Sequence, residues 1–210
     1  MERAADGRPT GRLWRYDARL HAILGARPPD LAPVGARLSR FGITGVTDAT
    51  PDDDGSGAAA IITAVRARTL RQRVHLLGAT AHADGEVTIG PRKLLLRDHD
   101  LPGFDDLVAT ISASHAAGRP VAVHCVTRES LLLTLAALDV CGVLRGDRIE
   151  HTAVVPVEVR AELARAGVRV VTQPSFIARR GDDYLARVDP DDVDLLYPYA
   201  SLLAAGGAVQ

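Results

Sequence analysis

Cysteine is scarce in this chain, with only Cys125 and Cys141 among 210 residues. Two thiols cannot build a disulfide framework, and both are expected as buried free thiols in a reducing compartment. Long apolar runs are missing as well. No stretch reaches the ~18 apolar residues that suggest a membrane span, so no membrane partner is expected. The opening MERAADGRPTGRLWRYDARLH has no apolar core of the kind a secretory signal carries, and a cytoplasmic location is the expectation. Charge of one sign is not in excess either. A net charge of −1 gives no footprint for nucleic acid or an anionic membrane. Neither GxGxxG nor GxxxxGK[ST] occurs, so the phosphate-cradling turn that marks many open nucleotide-binding sheets is absent.

What remains is an ordinary globular composition, 47% hydrophobic and 24% charged, long enough for one cored domain over 1–210. Residues 1–12 are polar and contain glycine and proline, and are expected as a loose lead-in. Helical spacing follows over Leu13–Leu24 and Leu31–Arg40, then a strand over Ile43–Asp48. The aspartates Asp52, Asp53 and Asp54 are expected in a solvated loop. A helix is predicted over Ala58–Arg71 and a strand over Val74–Ala79. Ala81–Gly90 has no helical pattern, so the next strand, Lys93–Arg97, is reached without the usual crossover helix or by an irregular one. Phe104–Ala117, Glu129–Val140 and Glu158–Ala166 read as helices between strands at Val121–Val126, Ile149–Thr152 and Val168–Gln173. Arg179–Pro190 is expected as a polar excursion, Asp191–Ala205 as a last helix, and Ala208-Val209 as the start of another strand.

The stretch Gly118–Asp139, GRPVAVHCVTRESLLLTLAALD, is the most informative. An apolar, β-branched run leads straight into a helical pattern, and His124 stands at the strand's C-terminal end. The next unit repeats the arrangement with His151, 27 residues on, close to one unit of an α/β barrel of roughly 250 residues in eight units. Two imidazoles at the same height on neighbouring strands can share a metal. Alternation places Ala122, His124 and Val126 on one face and Val123 and Cys125 on the other. Strands alternating with helices define parallel α/β topology, and with no phosphate turn present a barrel is favoured over an open sheet.

GITGVTDATP, KLLLRDHDLP, GRPVAVHCVTRESLLLTLAALD, DRIEHTAVVP, GVRVVTQPSF and YPYASLLAAGGAV follow one another in this chain. In that order they resemble the metal-dependent amidohydrolases, in particular amidohydrolase family 3 with its N-substituted formamide deformylase-like members. The resemblance runs from about Asp6 to the last residue. It implies a (β/α)8 TIM-like barrel and hydrolysis of C–N bonds in small-molecule amides by water activated on a divalent metal, zinc first. Residue by residue, His124 resembles the strand-5 ligand, His151 the strand-6 ligand and Lys93 the carboxylated strand-4 lysine. Asp98 and His99 are rival ligand positions at the far end of the Lys93 strand. Gln173-Pro174 matches the end of strand 7, a pocket-lining position without chemistry of its own. His21, His75, His82 and His115 are expected in surface or core roles.

The departures are as informative. The family's HxH pair on strand 1 has no counterpart, and Gln210 stands where strand 8 and its aspartate would follow. The expectation is an incomplete (β/α)8 barrel, strands 2–7 plus a stub of strand 8, a fragment that is inactive or impaired. The alternative is a non-catalytic remnant or subunit paired with a second chain that supplies the missing strands. A third reading is an unrelated open α/β binding protein. Self-association through exposed strand edges at Ile43–Thr47 and Val168–Thr172 is also expected.

Overall fold

A computed structural model of the chain describes residues 2–13, 16–25, 29–51, 55–79 and 85–210. Among these residues eight strands and eight α-helices succeed one another. They are α1 (Asp17–Leu24), α2 (Ala32–Arg40), β1 (Gly45–Asp48), α3 (Ser56–Arg66), β2 (Arg73–Leu76), β3 (Val87–Ile89), β4 (Arg92–Leu95), α4 (Phe104–Ala116), β5 (Val121–Cys125), α5 (Arg128–Cys141), β6 (Arg148–His151), α6 (Arg160–Arg165), β7 (Arg169–Val171), α7 (Ser175–Arg187), α8 (Tyr199–Ala204) and β8 (Ala208–Val209). The fold is α/β, with every pairing between these strands parallel.

The strands form two ladders, β1-β2-β3 and β4-β5-β6-β7-β8. The break between them is local. Pro91 has no N–H to donate, and the register slips at that point. Gly90 N–H still donates to Leu76 O at 2.8 Å, and Lys93 N–H to Leu77 O at 3.0 Å, so β3 and β4 both continue the β2 edge. Arg119 fastens the seam, donating to Gly90 O, Leu77 O and Ala79 O at 2.8–3.1 Å.

Alternation divides each strand between two environments. The row Leu94, Val123, Ile149, Val170 and Val209, set by register, faces the helices. It packs with Ile111, Leu131, Leu135, Leu138 and Leu163 into the larger core. Val74, Leu76 and Val87 pack against Ala58, Ile62 and Val65 in the smaller one. The opposite row is mixed and carries the charged and imidazole side chains. Lys93, Ala122, Arg148 and Arg169 stand in one rung, and Leu95, His124, Glu150 and Val171 in the next.

Loops beneath the strands are tied by Asp147, whose carboxylate accepts from Val121 N–H and Leu144 N–H, both at 2.8 Å, and contacts His115 Nε2. Thr127 caps α5 reciprocally with Ser130 and turns the chain directly from β5 into the helix. That tight turn leaves His124 at the strand's upper end.

Several sequence expectations are corrected. Arg179–Pro190 is mostly helix: α7 has no buried residue and carries Gly181 mid-helix, so no apolar stripe announced it. The helix expected over Asp191–Ala205 is broken into a 3-10 turn, Pro190–Leu195, and α8. Tyr197 takes a positive φ between them and donates its N–H to Ala153 O at 2.7 Å. Ala81–Gly90 contains β3. The stretch Ala58–Arg71 stops being helical at Arg66. β7 is not an open edge, because β8 pairs with it through Arg169–Ala208 and Val170–Val209. Residues 2–12 fold back on themselves through an Arg3–Pro9 bridge. Asp52–Asp54 and His82 lie outside the described residues. Cys125 and Cys141 are free thiols; Cys125 is buried, as expected, but Cys141 is only half-buried, and burial pushes the Cys125 thiol up to about 12.

Candidate functional site

A cavity of about 640 Å³ opens at the C-terminal ends of the strands. Lys93, Leu95, His124, Arg148, Glu150, His151, Val171 and Gln173 line it, with Thr47 and Thr50 on the β1 side and Gln210 on the β8 side. Thus the three residues singled out on the sequence, Lys93, His124 and His151, meet in one cavity on three successive strands.

His124 arrives by plain alternation, on the same face as Ala122. His151 does not. Register pairs it with Cys125, whose side chain faces the helices. The backbone overrides that placement. Thr152 N–H donates to Glu150 O at 2.9 Å, closing a three-residue turn with His151 at φ 70° in its centre. Thr152 follows at φ 46°. Two consecutive non-glycine residues in the left-handed region mark a strained strand end, of the sort that clusters at functional sites. The result is an edge-to-face pair of imidazoles, with ring centroids 4.5 Å apart. His151 Nδ1 lies 2.7 Å from Gln173 Oε1.

Electrostatics keep the His124 ring uncharged near neutral pH. Burial, then His151 and Lys93, depress the His124 imidazole to about 4. Burial also lowers the Lys93 amine, with Glu150 pulling it back up and Arg148 adding to the depression. Lys93 is 9% exposed, and among the described residues no hydrogen bond or ion pair holds its Nζ. Arg148 is forked onto Glu150, so among the described residues lining the cavity the one side-chain carboxylate is already engaged by a guanidinium.

Asp98 is outside the cavity, exposed, and accepts from Thr127 Oγ1 at 3.2 Å. His99 is exposed and also absent from the lining. His75 points to the inner face of β2, with Nδ1 2.8 Å from Thr88 Oγ1. His115 contacts Asp147. Arg148 and Glu150 went unremarked on the sequence. Their signal was available, since they flank apolar Ile149 with period two on the strand that carries His151. Gln173, expected as a pocket-lining position, does line the cavity, but its contact with His151 gave no signal because it depends on the turn there.

No protein-family model matches the chain, and no curated protein matches it significantly. Solved structures do. An uncharacterized metal-dependent hydrolase from Pyrococcus furiosus superposes with a TM-score of 0.70 at 16% identity, covering 93% of this chain and 49% of that one. Another, from Pyrococcus horikoshii OT3, gives 0.65 at 18% identity, over 90% and 46%. Atrazine chlorohydrolase from Arthrobacter aurescens TC1, complexed with zinc, gives 0.53 at 17% identity, over 86% and 47%. This chain therefore shares its fold with metal-dependent hydrolases and spans about half the length of each. No described helix is long and apolar enough to cross a membrane.

Proposed function

We propose that this chain is the larger part of the barrel of an amidohydrolase-type, metal-dependent hydrolase. β1 and β2 are its second and third strands, β3 with β4 its fourth, and β5 to β8 its fifth to eighth. His124 and His151 are then two metal-ligand positions and Lys93 a third, facing a small-molecule amide whose C–N bond the whole protein hydrolyses. One observation carries this reading: Lys93, His124 and His151 converge on a single cavity at the strands' C-terminal ends. That is the end where barrels of this class keep their chemistry.

The donors in this chain fall short of a working metal centre. Among the described residues no three His, Cys, Asp or Glu side chains converge. A catalytic zinc keeps about three protein ligands, and the nearby carboxylate of Glu150 is committed to Arg148. Two imidazoles and an unmodified amine do not fit a catalytic zinc, and no step is assigned through one. What the chain's own residues supply is two adjacent imidazoles, a desolvated amine and a fixed ion pair. The open β1 edge beside the cavity favours one further reading, a subunit completed by strands from a second polypeptide.

The test is zinc added to the purified chain while the histidine ring signals are followed by NMR. The His124 and His151 signals should shift before any other histidine, and dialysis against micromolar zinc should leave well under one equivalent bound, with no amidase activity. Shifts elsewhere first would defeat the site assignment. Two tightly held metals would defeat the claim that the donor set is incomplete.

A further inference from the structure

His151 is turned towards the cavity by its backbone, but the backbone fixes only the direction of Cα–Cβ. The ring can still rotate, and a neutral imidazole can carry its proton on either nitrogen. One side chain settles both. We infer that Gln173 is a positioning residue for His151, its side-chain carbonyl holding the imidazole as the Nδ1–H tautomer so that the Nε2 lone pair is presented to the cavity. The inference rests on the proposed site but not on the metal.

Three observations support it. Gln173 Oε1 can only accept, so at 2.7 Å the proton of the pair belongs to His151 Nδ1. His151 Nε2 makes no hydrogen bond among the described residues, and Gln173 lines the same cavity. Gln173 is itself firmly anchored. The residue before it donates Thr172 N–H to Gln210 O at 2.9 Å, and Phe176 N–H donates back to Gln173 O at 3.0 Å at the start of α7. Such an outer partner on the second ring nitrogen is the general device by which proteins choose which nitrogen faces a ligand. A free imidazole side chain favours the opposite tautomer, so the arrangement is an imposed one. The chemistry it provides is an acceptor lone pair, next to the second acceptor-capable ring of His124. It suits a ligand that offers an electrophilic centre or an N–H or O–H donor at that point.

The experiment uses the full chain, isotope-labelled, with a chelator present, at mildly alkaline pH. Long-range proton–nitrogen correlation spectra distinguish the two tautomers, and His151→Gln identifies the His151 signals. The parent should show Nδ1 protonated and Nε2 bare. Gln173→Met, which keeps the length but removes the acceptor, should shift the population several-fold towards Nε2–H. Gln173→Glu, which keeps an acceptor oxygen, should restore the parent pattern. If Gln173→Met does not fold, the parent and Gln173→Glu spectra still decide. An Nε2–H tautomer in the parent, or a Gln173→Met spectrum like the parent's, would overturn the inference. Because no metal or substrate is present, failure here is separable from failure of the zinc experiment.

Discussion

The rings of His124 and His151 meet edge to face with centroids 4.5 Å apart, although the strand ladder pairs His151 with Cys125. The difference is made by one turn, in which His151 takes φ 70°. A histidine held in the left-handed region costs of order 1–3 kcal/mol, which the surrounding structure must offset. Strain of this kind at a cavity is more readily explained by the side chain's use than by stability.

From this comes a first prediction. His151→Gly removes the ring and its bond to Gln173, but it also relieves the positive φ. The two effects should nearly cancel, leaving stability within about 1 kcal/mol of the parent. His124→Gly sits on a regular strand and should cost about 1–3 kcal/mol, with no compensating relief. Urea unfolding of both variants makes the comparison. A cost above about 2 kcal/mol for His151→Gly would mean that the turn is not strained.

His75 and Gly90 provide a second. A Cβ on Gly90 would lie 2.2 Å from His75 Nε2 and 2.7 Å from Cε1. The ring is held by Thr88 on its other nitrogen and cannot swing clear without losing that bond. Gly90→Ala should therefore destabilise by about 1–3 kcal/mol through overpacking. In the His75→Ala background the same change should be nearly neutral. Equal costs in both backgrounds, measured as a double-mutant cycle, would show that the contact does not limit the packing.

Most of the framework was legible because its signals are local. Val121–Cys125 and Arg128–Cys141 are a β-branched run and a capped helix, and both were read within a few residues of their limits. Three features were illegible for physical reasons. α7 buries nothing, so no apolar periodicity could mark it. β3 is three residues long and pairs at a distance in sequence, so nothing local required it to be extended. The inward turn of His151 reverses the face that alternation assigns, and only the structure reveals a left-handed residue that is neither glycine nor asparagine. His124 followed from its place at the end of a strand and Lys93 from the family resemblance, whereas the contact of Gln173 with His151 waited on that turn.

Acid should weaken the fold in a defined direction. Burial, with Arg148 as the second cause, lowers the His75 imidazole below its ordinary 6.5, and His124 moves the same way. In the folded chain both resist protonation, while the unfolded chain takes up protons as the pH falls through 6.5. The unfolded state then binds more protons, so stability rises with pH across the window below 6.5 and is lost as the pH drops. Melting temperature should fall over that interval, and His75→Gln should flatten the slope. A slope unchanged in the variant would remove His75 from the account.

The last prediction concerns the β1 edge. β1 ends the order β1-β2-β3, and among the described residues nothing pairs with its outer side. Its sequence, GVTD, has no proline and no lysine, the usual means of blunting an edge. Phe41 is 70% exposed and Ile43 38% exposed just before it, adding apolar surface where a second strand would dock. The opposite edge is much shorter. β8 covers β7 and offers only Ala208 and Val209, too little to template a lasting pair. Association should therefore run through β1, with two copies or a complementing strand adding to the sheet. Sedimentation at tens of micromolar should show species larger than the monomer. Thr47→Lys places a charge at an exposed position on that edge and should shift the distribution towards monomer without changing the melting temperature. A parent that sediments as a monomer throughout would sink the edge argument. So would a Thr47→Lys variant that associates as readily as the parent, since the contact would then lie elsewhere on the molecule.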